Sequence, residues 1–417
     1  MRPESDYSAL TDSAPSSFVA ANEQEALRLR AEMVERVRQT GSLRDSAIEQ
    51  AFLTVPRHLF LPGHSLTEAY ENVAVATRWE QGAAVSSVSQ PEIVALMLEQ
   101  LRLAPGMRVL EIGAGAGYNA SLLAELVGPN GSVTSIELDE GLASEAAAHL
   151  AAAGYSPAGG RVIARDGWEG WAAGAPYDRI EATVGVWEIS PAWVEQLAED
   201  GLLLIPLWLG VTDVSVALRK RGDELVSESW ALCGFVRLRG AGAVQAPTAR
   251  LSNRRVLSGP GAEEIAPQAT RLLEQSPRRS RWASPGPGFI PTLALMSAGL
   301  LTLWQNGPAG LGRPRGRYAL YREDEDGPSL ALLSERNASL LSFGSDAAER
   351  YLRAQAEAFI THPRLGPNSW TLTVRPAATA LPAAPDAIRQ RTPHWVYDMR
   401  VMAPDTPAPG STMPMLM

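Results

Sequence analysis

Cysteine is all but missing from this sequence: Cys233 is the one thiol among 417 residues. That excludes an internal disulfide framework and a cysteine-built zinc site, and it points to a reducing, cytoplasmic setting. Lysine is as scarce, since Lys220 stands alone and arginine supplies the rest of the 37 basic side chains; this reads as genome composition, not chemistry. The five histidines, His58, His64, His149, His362 and His394, show no metal-ligand spacing, so no metal is expected. Positive charge is in deficit, with a net charge of −9 and a pI of about 5.3. That argues against nucleic acid as a partner, because such binding rests on Lys and Arg neutralising phosphates. Long hydrophobic runs are missing too. The stretch from Phe289 to Trp304 carries no charge but is broken by Pro291, Ser297 and Gly299. It falls short of the ~20 residues a membrane helix needs, and a buried helix of a second domain is expected there. Met1 to Ser17 lacks the apolar h-region of a secretory signal, so export is not expected.

What is present is ordinary globular composition, 45% apolar and 20% charged. A prior of ~150 residues per domain suggests two to three domains. Residues 1–22 read as a flexible N-terminus, and Glu23 to Thr40 as a surface helix with apolar Ala26, Leu29, Met33 and Val37 at a period near 3.6. A second short helix is expected around Ala47 to Phe52. Met107 to Ile112, Ser132 to Leu138, Arg161 to Arg165, Asp178 to Val184 and Leu202 to Leu207 read as buried strands, with helices at Tyr118 to Val127, Leu142 to Ala153 and Pro191 to Ala198 between them. Such alternation means a parallel sheet covered on both faces. Val214 to Lys220 and Leu225 to Leu232 flank a turn and predict a closing hairpin. The first domain thus spans 23–240. Residues 241–261, rich in Ala, Gly, Pro, Ser and Arg, read as a linker, 262–376 as a small α/β accessory domain, and 377–417 as a Pro-rich tail.

The strongest chemical signal is Glu111-Ile112-Gly113-Ala114-Gly115-Ala116-Gly117, which follows the first of those strands and opens a helix. Glycines there let the backbone turn tightly and approach a ligand. A dinucleotide site wants G-x-G-x-x-G with a helix N-terminus facing pyrophosphate. Here the spacing is G-x-G-x-G, and the preceding Glu111 would repel a phosphate while suiting the cationic end of S-adenosylmethionine. Glu137, closing the next strand, is placed to accept hydrogen bonds from ribose hydroxyls, and Asp166, after the third, to reach the adenine amino group. Ser89 and Glu92 also read as a capping box for a helix through Leu101.

Several further elements resemble one family. Ser87-Val88-Ser89-Gln90-Pro91, Ile93-Val94-Ala95, Asp166-Gly167 and Ala175-Pro176-Tyr177-Asp178 are similar to the signature of protein-L-isoaspartate O-methyltransferases. Val55-Pro56-Arg57-His58 with Phe60 and Pro62, and Ala69-Tyr70, resemble that family's N-terminal region. The resemblance implies an α/β, Rossmann-like class I S-adenosylmethionine-dependent methyltransferase with an N-terminal helical extension. It also implies Ser89 as the catalytic residue beside the transferred methyl group. Ser86 and Ser87, with Thr183, Val184 and Trp187, would line the acceptor cleft. Val88, Gly113, Ala114, Gly115, Gly117, Asn119, Leu138 and Gly167 would join Ser89, Glu111, Glu137 and Asp166 around the donor.

Two departures bear on the substrate. Where the family carries a small Gly-Ala-Ala run, this chain has Thr183-Val184-Gly185-Val186-Trp187, which reshapes the acceptor pocket. The C-terminal extension, with Cys233-Gly234-Phe235 before it, resembles the branch found with ribosomally made peptides such as lanthipeptides, lasso peptides and graspetides. That likeness implies an ordinary aspartate of a cyclised peptide as acceptor, whose ester loses methanol to a backbone nitrogen and leaves an aspartimide. Repair of isoaspartyl residues in aged proteins is the alternative. Either acceptor is already anionic at neutral pH, so methyl transfer needs alignment and no general base. Arg278-Arg279-Ser280-Arg281 reads as a solvated turn, with docking of an acidic peptide as its second reading. The uncharged run Trp282 to Gly312 predicts an apolar interface between the domains, and a protein ending near Gly240 is expected to retain the donor site.

Overall fold

The computed structural model describes residues 16–80, 83–155, 160–209, 211–244, 247–259, 261–286, 289–297, 300–305, 315–334, 338–361, 370–379 and 388–401. In chain order the first half contains helices α1 (Ser16–Gln39), α2 (Ser46–Thr54) and α3 (Leu66–Ala69), then strands β1 (Val75–Glu80) and β2 (Ala83–Val88) and helix α4 (Pro91–Leu101). There follow β3 (Arg108–Ile112), α5 (Tyr118–Val127), β4 (Ser132–Glu137), α6 (Glu140–Ala152), β5 (Gly160–Ala164), β6 (Tyr177–Ala182), α7 (Pro191–Gln196), β7 (Leu197–Trp208), β8 (Asp213–Arg221) and β9 (Glu224–Cys233). The second half contains β10 (Thr248–Ser252), β11 (Arg255–Ser258), α8 (Ala262–Leu273), β12 (Arg278–Arg281), α9 (Phe289–Met296) and β13 (Leu300–Gln305). It closes with β14 (Arg315–Asp324), β15 (Gly327–Ser334), β16 (Ser339–Gly344), α10 (Ala347–Thr361), β17 (Trp370–Pro376), β18 (Ile388–Arg391) and β19 (Trp395–Val401).

The larger sheet runs β18-β19-β17-β9-β8-β7-β6-β3-β4-β5. From β5 through β7 it is parallel, and from β7 outward antiparallel. Its strands read as continuous apolar runs because both faces are covered. Val109, Val133, Leu202 and Leu204 pack with the helices α1, α2, α4 and α5. Leu110, Ile136, Leu203 and Ile205, one residue out of phase, pack on the other side with Trp193, Trp230, Trp370 and Trp395. The chain leaves β3 toward β4 on one side and returns to β6 on the other, so the carboxyl ends of β3 and β6 form the crevice where such sheets bind ligands.

The second sheet, β10-β11-β13-β14-β15-β16-β12, is antiparallel. Helix α8 packs its Ala262, Ala269 and Leu272 on one face. Residues Phe289, Leu352 and Phe359 of α9 and α10 cover the other.

The structure corrects several sequence expectations. Helix α1 begins at Ser16, inside the segment read as flexible; residues 1–15 lie outside the described residues. The expected linker holds β10 and β11, a hairpin belonging to the second sheet. Pro and Gly frequency mistook a hairpin for a linker, because its strands are short and half-exposed. The expected tail holds β18 and β19, which pair with β17, and β17 pairs with β9 of the larger sheet. Residues 370–401 are therefore part of the catalytic sheet, not of the accessory unit or of a tail; 402–417 lie outside the described residues. A protein cut near Gly240 would lose three strands of its own sheet and uncover Trp230, so it is not the clean donor-binding fragment that the sequence suggests. Arg278 to Arg281 is an edge strand, not a turn. Trp282, Phe289, Ile290 and Leu293 fill the accessory unit's own core, with Val211 of the β7–β8 turn packed against it. Among the described residues no helix is long and apolar enough to cross a membrane.

Candidate functional site

At the crevice, a buried acidic floor is built from two strands. Glu111 of β3 and Glu181 of β6 are 0% and 1% exposed, and the Asn119 amide of α5 donates to both, at 2.8 Å and 2.9 Å. Ser135 also donates its hydroxyl to Glu111. Burial pushes both carboxyls above the ordinary glutamate range, and each also feels a nearby carboxylate, Glu137 for Glu111 and Glu111 for Glu181. A floor of this kind is completed by a ligand that brings positive charge. Glu181 was not singled out from the sequence, although a lone acid inside the otherwise apolar Ile180 to Ala182 was the available signal.

The glycine loop forms the rim. Gly113, Gly115 and Gly117 all have positive φ, at 99°, 53° and 92°. A Cβ on Gly113 would lie 2.9 Å from Thr183 Oγ1, so a side chain there would push the loop off β6. Glu137, at the end of β4, accepts from Gly115 N at 2.9 Å and holds the loop open toward the cleft. Gly117 does not line the cleft. A Cβ there would lie 2.7 Å from Leu150 Cδ1, so this glycine serves close packing of α5 on α6.

The remaining wall comes from β2 and the turn after it. Ser86, Ser87, Val88 and Ser89 line the cleft opposite the loop. Ser86 Oγ accepts from Thr77 Oγ1 at 3.0 Å. The expected capping box at Ser89 is absent: the N-cap of α4 is Gln90, with Pro91 in the first helical turn. Proline's fixed φ starts the helix one residue later than S-x-x-E requires. The first-turn amide of Glu92 is instead capped by Asn72, whose Oδ1 accepts at 3.0 Å while its Nδ2 donates to Glu92 Oε2 at 3.0 Å. Ser89 is held through its backbone, since its carbonyl accepts from Arg57 Nη1 at 3.0 Å. Its hydroxyl has no hydrogen-bond partner among the described residues and stays available to a ligand.

Of the other sequence candidates, Ala114, Leu138, Gly167, Thr183 and Val184 line the cleft. Asp166 does not: its two oxygens accept from Trp168 N at 2.9 Å and Ala241 N at 2.7 Å, capping a short turn. Trp187 is half-buried outside the cleft, its ring centroid 5.0 Å from that of Trp208. Sequence reasoning missed the strap Phe235-Val236-Arg237-Leu238-Arg239, which closes the cleft after β9. The strap is pinned by Gly185 N to Val236 O at 2.8 Å, by Leu238 N to Gly185 O at 3.0 Å, and by Arg239 Nη1 to Glu80 Oε1 at 3.1 Å. No local pattern marks a strand-end segment that crosses to a loop some fifty residues earlier. Among the described residues no cluster of three or more His, Cys, Asp or Glu could hold a metal.

The residues present fit S-adenosylmethionine. Positive-φ glycines provide the close approach, Glu137 borders the loop, and the buried Glu111–Glu181 pair faces the cleft with no ion-pair partner among the described residues. The raised carboxyl pKa values give a test. Because the folded protein holds these protons more tightly than the unfolded chain, its stability declines as pH rises from the ordinary glutamate range through neutrality. A cationic ligand favours the ionised floor, so binding is expected to release protons and to shrink that decline. Calorimetry in buffers of different ionisation enthalpy reads the release directly, and binding with no proton release would remove the floor from the site.

The sequence model of the family described as Protein-L-isoaspartate(D-aspartate) O-methyltransferase (PCMT) matches residues 28–242. Protein-L-isoaspartate O-methyltransferase 2 of Archaeoglobus fulgidus is 37% identical over 211 residues, covering 51% of this chain and 93% of the relative. The Opitutus terrae protein-L-isoaspartate O-methyltransferase is 41% identical over 190 residues, covering 45% and 76%. A solved protein-L-isoaspartate O-methyltransferase structure shares the fold with a TM-score of 0.50 at 22% identity, covering 82% of this chain and 96% of its own. That coverage exceeds residues 28–242, so the likeness in fold extends into the C-terminal half.

Proposed function

The chain belongs to the protein-L-isoaspartate(D-aspartate) O-methyltransferase family and is an S-adenosylmethionine-dependent protein carboxyl methyltransferase; from that premise we propose that its acceptor is the free carboxylate of an isoaspartyl residue in a damaged protein or peptide. The observation that carries this is the polarity of the cleft: acids on the floor, serine hydroxyls on one wall, arginines on the strap. The two curated relatives described above carry the isoaspartyl activity in their names, which favours repair over a tailoring role.

When bound, S-adenosylmethionine supplies a methyl group activated by a positively charged sulfur. Glu111, Glu181 and Glu137 would hold the donor and balance its charge, and the glycine loop would let it lie close to the backbone. The Ser89 hydroxyl would orient the acceptor carboxylate. With such a donor in place the acceptor, already an anion, would need no base, and the residues of the site would supply alignment and exclusion of water.

A second reading, methylation of an ordinary aspartate in a cyclised ribosomal peptide, is favoured by Thr183-Val184 at the acceptor wall, where bulkier side chains change the shape of the pocket. Labelled donor with an isoaspartyl peptide and its aspartyl counterpart separates the two. Turnover confined to the isoaspartyl peptide is expected; turnover of the aspartyl form alone would establish the second reading. In the same assay Ser89→Ala is expected to lower turnover at saturating donor while changing stability by under ~0.5 kcal/mol, because its hydroxyl supports no fold contact. Normal turnover would exclude Ser89 from catalysis.

A further inference from the structure

The cleft separates charge by sign. Its acids lie low, at the ends of β3, β4 and β6, and the only cations among its lining residues are Arg237 and Arg239 of the strap. The two are placed differently. Arg239 is committed to acids, with Nη1 on Glu80 at 3.1 Å and Nη2 3.9 Å from Glu137. Arg237 is braced on one side only. Its Nη1 donates to Asp213, which is 6% exposed, and its guanidinium lies 4.6 Å from the centroid of the Trp208 ring. Its Nε and Nη2 have no partner among the described residues, and its side chain keeps 42% exposure.

That bracing is built from several elements. Trp208 ends β7 and Asp213 begins β8, both at the carboxyl end of the parallel strands, where the cleft lies. Trp187 backs Trp208 at 5.0 Å. Gly185 makes room: a Cβ there would lie 2.5 Å from Arg237 Nη1. A guanidinium stacked on an indole and clamped by a buried carboxylate has lost most of its rotamer freedom before any ligand arrives, so its free edge is preorganised for a planar anion.

We propose that Arg237 is a specificity-determining residue that receives the acceptor carboxylate through the free edge of its guanidinium, with Trp208 and Asp213 as its positioning residues. The proposal rests on the carboxylate-methylating reading above. It also accounts for release. The acceptor enters as an anion and leaves as a neutral ester, so the charge-assisted contact to Arg237 is made with substrate and lost with product.

The test uses the full-length protein, S-adenosylhomocysteine and an isoaspartyl peptide. Peptide binding is read by calorimetry, and acceptor KM and kcat by labelled methyl transfer. Arg237→Gln is expected to weaken peptide binding and raise acceptor KM by about tenfold or more, the loss of one hydrogen bond to a charged group. Affinity for S-adenosylhomocysteine should stay within about twofold, since the acids hold that end. Arg237→Lys should recover only part of the loss, because an ammonium cannot present a planar edge. Removing Arg237 leaves Asp213 buried without its counter-charge. If Arg237→Gln fails to fold, the pair Arg237→Gln with Asp213→Asn carries the same comparison. Unchanged peptide affinity and acceptor KM in a folded variant would overturn the proposal. A wild-type protein that binds peptide but methylates neither isoaspartyl nor aspartyl acceptor would overturn the functional reading instead, and the binding isotherms would still decide the role of Arg237.

Discussion

Glu137→Ala is expected to bind S-adenosylmethionine about 10 to 100 times more weakly, for two reasons that act together. A carboxylate that accepts from ribose hydroxyls contributes ~1.5 to 3 kcal/mol per hydrogen bond, and every ~1.4 kcal/mol is tenfold in affinity. The same side chain also accepts from Gly115 N at 2.9 Å and Asp139 N at 3.3 Å, so its removal loosens the loop that borders the donor. Calorimetry on a protein shown by circular dichroism to be folded measures the change. An affinity within twofold of wild type would remove Glu137 from the donor site.

The largest expected loss of stability belongs to Arg57. Its side chain is fully buried and ties three segments through their carbonyls: Ala69 at 2.8 Å, Ser89 at 3.0 Å and Val73 at 3.2 Å. It also lies 5.1 Å from the centroid of the Tyr118 ring, joining α5 to the N-terminal helices. Burial lowers its pKa, yet an arginine remains charged, so the cation is kept and spent on these carbonyls. Replacing it with leucine leaves the buried Ala69 carbonyl and the part-buried Ser89 and Val73 carbonyls without that donor. A cost of ~3 kcal/mol or more is expected in urea denaturation, together with a fall in kcat because the Ser89 carbonyl is no longer anchored. A loss below ~1 kcal/mol would show that the segments are held by packing alone.

Arg57 also marks the limit of what the sequence discloses. It stood among the residues carrying the family resemblance, but composition assigns arginine to the surface, and nothing local says that this one is buried. The parallel strands and their helices were legible because each carries its own period, and the glycine loop because it interrupts that period where a strand ends. Glu111 and Glu137 could be placed for the same reason. Asp166 had the same local setting and a different fate, since Ala241, far along the chain, donates its amide to it. The strap behaves likewise: the partners that fix Arg237 are Asp213 and Trp208, on the two strands that precede its own. At Ser89 the local rule misled, because Pro91 moved the helix start and Asn72, twenty residues before Glu92, capped it.

The pairing of β9 with β17 has a consequence for synthesis. Thr373 sits opposite Val226, so the catalytic sheet accepts its last strands only after the whole accessory unit has been made. During elongation β9 stands as a raw edge with free amide and carbonyl groups, the kind of edge that recruits a stray strand. Closing so long a loop costs entropy that grows with the logarithm of its length, but the seven-stranded sheet consumes most of that length if it folds first. The accessory unit is then a guest inside its host, and by folding on schedule it delivers the chain to the place where the host sheet is finished.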